Sequence, residues 1–235
     1  MKTYLSKSRY TKYCQCAKAL WLSVNKPEEA TVDAGVEARF AEGDVVGDLA
    51  MGLFGDFVEV TTMTEDGKLD LSAMIEKTRE EMARGTEVIC EASFSYRNAG
   101  ESNYCAVDIL RKTADGWAIY EVKSTTSHVA DVATMSKELV DKVEKYAKDI
   151  AFQRWVLEQC GVKVTATYLV TLNSDYVRQG DLDVQQLFNI IDMKELVENE
   201  YLKVPAQQRM AHTVLQGDEP QKGIGPPSLS PFLRS

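Results

Sequence analysis

No apolar run in this sequence approaches the roughly 20 residues that a membrane-spanning helix requires. The longest, such as TATYLVTL, are far shorter, and the opening MKTYLSKSRY lacks the apolar segment of a secretory leader. The chain is therefore expected to be soluble and cytoplasmic. Cysteine is sparse: Cys14, Cys16, Cys90, Cys105 and Cys160 are odd in number and scattered, which argues against a disulfide framework in a chain of this length. Cys14-x-Cys16 is not the C-x-x-C spacing of common zinc sites, and no second close pair accompanies it. Histidine is scarcer still: His128 falls in a polar stretch and is expected to be solvated, and His212 lies far from any motif. No internal repeat is present.

What remains is ample for a core. With 235 residues and 44% hydrophobic side chains, one α/β domain with helical additions is the default. The net charge of −9 argues against a surface that grips a polyanion everywhere. Acidic residues are absent from residues 1 to 26, however, which carry Lys2, Lys7, Arg9, Lys12, Lys18 and Lys26; that segment is +6 and the remainder −15. Tyr4, Tyr10, Tyr13 and Trp21 are interleaved with these cations, a combination that can hold phosphates and stack on bases. An amphipathic helix with aromatics packed inward and lysines solvated has the same pattern, and both readings stay open.

Ser6 or Ser8 can cap a helix through RYTKYCQCAKALWLSV, which Asn25-Lys26-Pro27 ends. A second helix in VEARFAEGDVVGDLAMGLF has Val36, Phe40, Gly43, Gly47, Ala50 and Phe54 at steps of three or four, putting two glycines on the buried stripe, where another backbone can come close. A third, LSAMIEKTREEMARG, ends at Gly85. VICEASFSY, NYCAVDIL and WAIYEVKS then read as three antiparallel strands joined through Asn98-Ala99-Gly100 and Asp115-Gly116. Residues 131–160 are predicted as one helix with Leu139, Val143, Tyr146, Ile150, Gln153 and Leu157 on its buried stripe. The strand VKVTATYLVTL follows, with even-numbered residues Val162 to Leu172 on one face. A hairpin, a helix and a returning strand imply a parallel crossover and hence a mixed sheet. Residues 183–217 read as helical, and GDEPQKGIGPPSLSPFLRS as a flexible tail.

Within the central strands, Asp108, Glu121 and Lys123 sit where a folding argument alone would place apolar residues, because an unpaired buried charge costs several kcal/mol. Glu121 and Lys123, two apart, share a strand face while Val122 points to the opposite layer. The Asp115-Gly116 turn can bring Asp108 beside them. Converging carboxylates repel unless a cation lies between them, and hard oxygen ligands suit Mg²⁺ or Mn²⁺. A lysine there can orient water or stabilise charge developing on a phosphate.

An acidic residue, a β-turn and then Glu-x-Lys on the next strand resemble the signature of the PD-(D/E)xK nuclease superfamily, matched by Asp108, Glu121 and Lys123. DIAFQRWVLEQCG is similar to the helix in which RecB-like members carry a glutamine, here Gln153, although the tyrosine often found four residues later is Leu157. LSKSRYTKYCQCAKALWLSV with FAEGDVVGDLAMGLF resembles the N-terminal part of a bacterial family of RecB-like nucleases that is itself similar to the CRISPR-associated exonucleases. The likeness covers about residues 4–204.

The resemblance implies a restriction-endonuclease-like α/β core, a mixed central sheet flanked by helices, with helical N- and C-terminal additions. Residues 1–217 are expected as one nuclease domain: 1–85 a helical N-terminal part, 86–175 the core, 176–217 C-terminal helices, with 218–235 a flexible tail. It also implies an exonuclease-like, metal-dependent DNA nuclease, with Asp108 and Glu121 holding Mg²⁺ or Mn²⁺, Lys123 assisting attack by water, and Gln153 positioning the lysine or a phosphate oxygen. Relatives place a metal-binding histidine in the second helix; the aligned residue is Gly47, and Glu42, Asp44, Asp48 or Glu91 are the candidate substitutes, with Glu91 favoured because it lies on a neighbouring strand. Many relatives also hold an iron-sulfur cluster between an N-terminal and a C-terminal cysteine group. The C-terminal segment has no cysteine, so no complete cluster is expected, and Cys14 and Cys16 are read as small buried residues or relics.

Lys7, Arg9, Lys12 and Tyr10 are the expected nucleic-acid contacts, and Lys148, Asp149 and Arg154 read either as phosphate contacts or, the favoured reading, as an ordinary solvated helix face. The expected partner is DNA, single-stranded or at duplex ends, with a protein partner in repair or defence also open. A catalytically weak binding module on the same fold is the alternative.

Overall fold

The computed structural model describes residues 4–29 and 34–220, without the side chains of residues 34–41. A two-residue strand, β1 (Leu5–Ser6), leads directly into α1 (Lys7–Gln15), whose N-terminus is capped by the Ser6 hydroxyl accepting from the Arg9 N–H at 3.2 Å. The single N-terminal helix expected from the sequence is two helices. Cys16 is extended, with φ −163° and ψ 119°, and α2 (Ala17–Asn25) starts afresh. The break turns α2 so that Leu20 reaches the same core as Tyr10, Tyr13 and Cys14 of α1.

In α3 (Ala34–Met51) the expected stripe holds at Ala50 but not at the two glycines, while Val36 and Phe40 lie outside the residues whose side chains are described. Val46, Ala50 and, in the following 3-10 turn, Leu53 are buried, and a Cβ at Gly43 or Gly47 would meet nothing within 4 Å. The helix is rotated by about one residue because valine and leucine remove more apolar area from water than glycine can. The helix α4 (Leu71–Arg84) is as expected, with Asp70 capping the N–H groups of Ser72 and Ala73 and Gly85 in the left-handed conformation at its end.

Six further strands build one mixed sheet: β2 (Val58–Glu59), β3 (Val88–Asn98), β4 (Glu101–Lys112), β5 (Trp117–Ser127), β6 (Val164–Asn173) and β7 (Phe188–Asp192). They lie in the order β2-β3-β4-β5-β6-β7, with β1 added on β4. The pairs β3–β4, β4–β5 and β6–β7 are antiparallel, and β5–β6 is the expected parallel crossover. Gly116 is obligatory at the β4–β5 turn, since a Cβ there would lie 2.4 Å from the Lys163 carbonyl oxygen. The β5–β6 register shifts between Trp117 and Ala118, whose partners are Val164 and Ala166. That irregularity breaks the predicted alternation of β6: Val162 and Val164 pack in one layer, and Ala166, Tyr168, Val170 and Leu172 in the other.

The long helix predicted for residues 131–160 is interrupted. It consists of α5 (Val129–Thr134), α6 (Lys137–Val143), a 3-10 turn and α7 (Ala147–Gln159). Met135 has φ 47°, and Ser136 caps α6 through the Leu139 N–H. The predicted stripe nevertheless faces inward, with Leu139, Val143, Ile150, Gln153 and Leu157 all buried. After β6 come α8 (Val184–Leu187), β7, α9 (Lys194–Tyr201) and α10 (Val204–Gln216). The strand β7 interrupts the stretch read as helical. Phe188 and Ile191, three apart, fit one helical face, but in the strand they enter opposite layers.

The tail is anchored at its start. Trp21 Nε1 donates to the Gly217 carbonyl at 2.9 Å, and Glu219 accepts from Lys18 and Lys26. Residues 221–235 lie outside the described residues. The sheet thus separates two apolar layers, one with α3 and one with α1, α2, α6, α7, α9 and α10, in a mixed α/β core. Among the described residues no helix is long and apolar enough to cross a membrane.

His212 of α10 is buried, with Nε2 3.2 Å from Asn103 Oδ1 on β4, and burial depresses its pKa. The unfolded chain therefore takes up a proton near pH 6.5 that the folded chain resists, so this residue lowers stability as pH falls through that region. Replacing it (His212→Gln) is expected to flatten the stability profile between pH 7.5 and pH 5, read by urea unfolding; an unchanged slope would refute the assignment.

Candidate active site

The site forms where the sheet opens. The β4–β5 ladder runs from Lys112↔Trp117 to Ile109↔Tyr120 and stops there; the next pair would be Asp108 with Glu121. Instead of a backbone acceptor, the Val122 N–H finds Asp108 Oδ2 at 2.7 Å. On β3, the ladder with β4 passes from Cys90↔Ile109 to Ala92↔Val107 and leaves Glu91 and Asp108 unpaired between them, with Glu91 held at φ 57°, an uncommon conformation for a non-glycine residue. On the far side, the β5–β6 register shifts again between Lys123 and Thr126. Further along β4, where β5 has left, β1 pairs with Asn103 and Tyr104. The chain emerging from β1 then delivers Lys7, the first residue of α1, into the opening.

Hydrogen bonds join five charged groups and one amide there, with Glu91 nearby as a sixth charged group. Lys7 Nζ lies 3.3 Å from Asp108 Oδ1 and 3.1 Å from each Glu121 oxygen. Lys123 Nζ bonds Glu121 Oε1 and reaches Asp149 Oδ2 at 3.3 Å. Gln153 Nε2 donates to Glu121 Oε2 at 2.7 Å and to Asp149 Oδ1 at 3.1 Å. Asp149 and Gln153 are one turn apart on α7, which packs over the face of β5 that carries Glu121. Val122 points into the other layer, as expected from strand alternation. Glu121 is fully buried, while the side chains of Asp108, Lys7 and Lys123 keep between 22% and 29% of their exposure. The site is open to solvent on the Asp108 side.

The charges do not balance. Glu91, Asp108, Glu121 and Asp149 face Lys7 and Lys123, four carboxylates against two ammonium groups. Burial followed by the neighbouring carboxylates pushes Glu91 up to about 7 and Asp149 up to about 6. Burial and the Glu121 charge raise Asp108. Burial acts on Glu121 in the same sense, but Lys123, Lys7 and the Gln153 bond outweigh it and hold this carboxyl below its usual range. Burial would lower both lysines; their carboxylate neighbours, led by Asp108 for Lys7 and by Glu121 for Lys123, raise them instead. The cluster has room for more positive charge.

Among the described residues no group of three or more His, Cys, Asp or Glu side chains stands arranged around a metal position. Two carboxylates, Asp108 and Glu121, do converge on one cation position, and the Lys7 ammonium stands in it. Their donor set is hard oxygen, the ligand type that Mg²⁺ and Mn²⁺ take.

Asp108, Glu121, Lys123 and Gln153 therefore come together as the sequence suggested, with Glu91 nearby on the neighbouring strand β3. Asp149, read from the sequence as a solvated helix residue, belongs to the cluster; its spacing of four from Gln153 was the available signal. Lys7, expected on the nucleic-acid surface, is instead inside the carboxylate cluster. Tyr10 is not available for stacking on bases: it is fully buried, its ring lies 4.5 Å from that of Phe152, and its hydroxyl donates to Gln207 Oε1. The helix turns it inward because an aromatic ring gains more from the core than from water. Arg9 packs over the Tyr4 ring and donates to the Tyr4 carbonyl, and Lys12 is exposed. Glu42, Asp44 and Asp48 are exposed on α3, which packs on the other layer. Arg154 pairs with Glu158 and Glu198, and His128 with Asp175. Beside Tyr4 and Tyr104, a groove of about 590 Å³ runs past Ser95 and Arg97 at the β3–β4 hairpin.

A protein of Eubacterium rectale, provisionally named an exonuclease, has a crystal structure that aligns with 95% of this chain and 85% of its own, at 16% identity and a TM-score of 0.55. That likeness establishes a shared fold. A second solved structure, SSO0001, covers 91% of this chain and 77% of its own at 14% identity and a TM-score of 0.40, and carries no argument. Neither a protein-family model nor a curated protein matches the chain.

The buried position of Tyr10 has a direct consequence. Tyr10→Ala is expected to lower unfolding free energy by roughly 3–5 kcal/mol, as for other large aromatic truncations in a core. Equilibrium denaturation will show it; a near-neutral effect with weakened DNA binding would return Tyr10 to the surface role.

Proposed function

We propose that the chain is a divalent-metal-dependent nuclease acting on DNA, with Asp108 and Glu121 holding the ion. The observation that carries this reading is the excess of carboxylates converging on one cation position beside Lys123, at the solvent-open end of a gap in the sheet. When bound, such an ion neutralises a phosphodiester and lowers the pKa of its water.

The chain's own residues supply the rest. Lys123, partly exposed, is held by Glu121 and Asp149 and orients the attacking water or a non-bridging phosphate oxygen. Gln153 fixes the buried Glu121 oxygen that faces away from Lys123, which keeps the carboxylate plane aimed at the ion. Asp149 sets the lysine from the helix side. Water adds to phosphorus and the P–O bond to the leaving strand breaks, so the cluster needs charge stabilisation and orientation rather than a covalent nucleophile. The name of the Eubacterium rectale relative agrees with an exonuclease-like reading.

A second reading has its own observation. Lys7 already fills the cation position between Asp108 and Glu121, as it would in a module that binds DNA without cutting it. End-labelled single-stranded and duplex DNA incubated with Mg²⁺, Mn²⁺ or EDTA separates the two. Metal-dependent cleavage is expected, lowered about 10²- to 10³-fold in Lys123→Ala, a loss typical of removing one electrostatic stabiliser, and abolished in Asp108→Ala. Retained binding with no cleavage in any metal would favour the module.

A further inference from the structure

We infer that Lys7 is a placeholder for the metal: its ammonium occupies the ion's position between Asp108 and Glu121 when no ion is bound, and the arriving ion displaces it. The inference rests on the metal-dependent reading above and adds a residue that the reading itself does not require.

Geometry carries it. Lys7 Nζ contacts one oxygen of Asp108 and both oxygens of Glu121, all within 3.3 Å, so it stands on the line along which the two carboxylates converge. Lys123, the other ammonium, sits to one side on Glu121 and Asp149 and leaves the Asp108 oxygen to Lys7. An ion bridging Asp108 and Glu121 cannot share that space with an ammonium group at the same distance from the same oxygens. The backbone on either side of Lys7 is fixed: Leu5 and Tyr10 are fully buried, and Ser6 caps the helix. The side chain itself is 22% exposed and can swing outward without moving α1.

The role follows from the charge count. With Lys7 withdrawn and no ion present, four carboxylates would face Lys123 alone, and Asp108 and Glu121 would be driven apart. Lys7 keeps them together until the ion replaces it. It is a positioning residue, and the swung-out ammonium stays at the mouth of the site, where a phosphate approaches.

Two measurements on the full chain test this. In the first, lysines are acetylated to a low extent in EDTA and in saturating Mn²⁺, and labelling is read by peptide mass spectrometry, with exposed Lys137 of α6 as the internal reference. Lys7 is expected to be protected in EDTA and to gain at least about fivefold in labelling with Mn²⁺, while Lys137 stays constant. In the second, Mn²⁺ binding is followed by electron paramagnetic resonance for the wild type, Lys7→Met and Asp108→Ala. Loss of the competing ammonium is expected to tighten Mn²⁺ binding by 10-fold or more, since occupancy by Lys7 lowers the fraction of sites open to the ion; Asp108→Ala should not bind. If Mn²⁺ binds in an Asp108-dependent way but Lys7 labelling does not change, or Lys7→Met binds no tighter, the placeholder is refuted and the metal site stands. If neither wild type nor Lys7→Met binds Mn²⁺, both fall together. Should Lys7→Met fail to fold, labelling of the wild type decides alone.

Discussion

The unmade backbone pair between Asp108 and Glu121 is the feature on which the rest of the site depends. Where β4 and β5 part, the sheet loses ladder bonds that a buried strand normally makes, and side chains must replace them. Asp108 takes the Val122 N–H, β1 fills the vacated edge of β4, and Lys7 enters the opening behind it. The charges in the strands are therefore not misplaced core residues. They line a gap in the sheet, open enough for Asp108 to keep 23% of its side-chain exposure and closed enough for Glu121 to keep none.

Concentrating this much charge in one gap is stabilised by mutual arrangement rather than by any single pair. Glu121 has Lys7, Lys123 and Gln153 as donors, which is why its carboxyl is held below its usual range despite complete burial. Removing one donor from such a network usually costs more than its hydrogen bond, because the buried carboxylate left behind is undersatisfied. Asp149 and Glu91 absorb the remaining imbalance by holding their protons more tightly. A site of this kind carries more carboxylates than ammonium groups, which is the electrostatic basis of the metal-dependent reading proposed above.

Much of this was legible in the sequence because it depends on short-range rules. Strand alternation put Glu121 and Lys123 on one face and Val122 on the other, and the Asp115-Gly116 turn forced Asp108 alongside. The inward helical stripe placed Gln153. Asp149 was passed over because a charged residue one turn from a polar one reads as solvated unless the partner's burial is known. The fate of Lys7 was not readable at all: it depends on β1 pairing with a strand about 98 residues away, Leu5 with Asn103, and a two-residue strand leaves no periodic trace. The breaks at Cys16 and Met135 and the strand β7 were hidden for a related reason, since tertiary packing overrode segments whose spacing also suits a helix.

The anchoring of Leu5 and Tyr10 on either side of Lys7 also fixes a clock. Because the backbone there is buried, exchange at the cation position needs no opening of the fold, only rotation about the bonds of one lysine, a motion of nanoseconds for a partly exposed side chain. Mg²⁺ surrenders its water far more reluctantly than a side chain turns. If Lys7 yields to an ion as inferred above, the rate of loading would thus be set by the chemistry of the ion's hydration shell, and a cation that sheds water faster would load sooner without binding any more tightly.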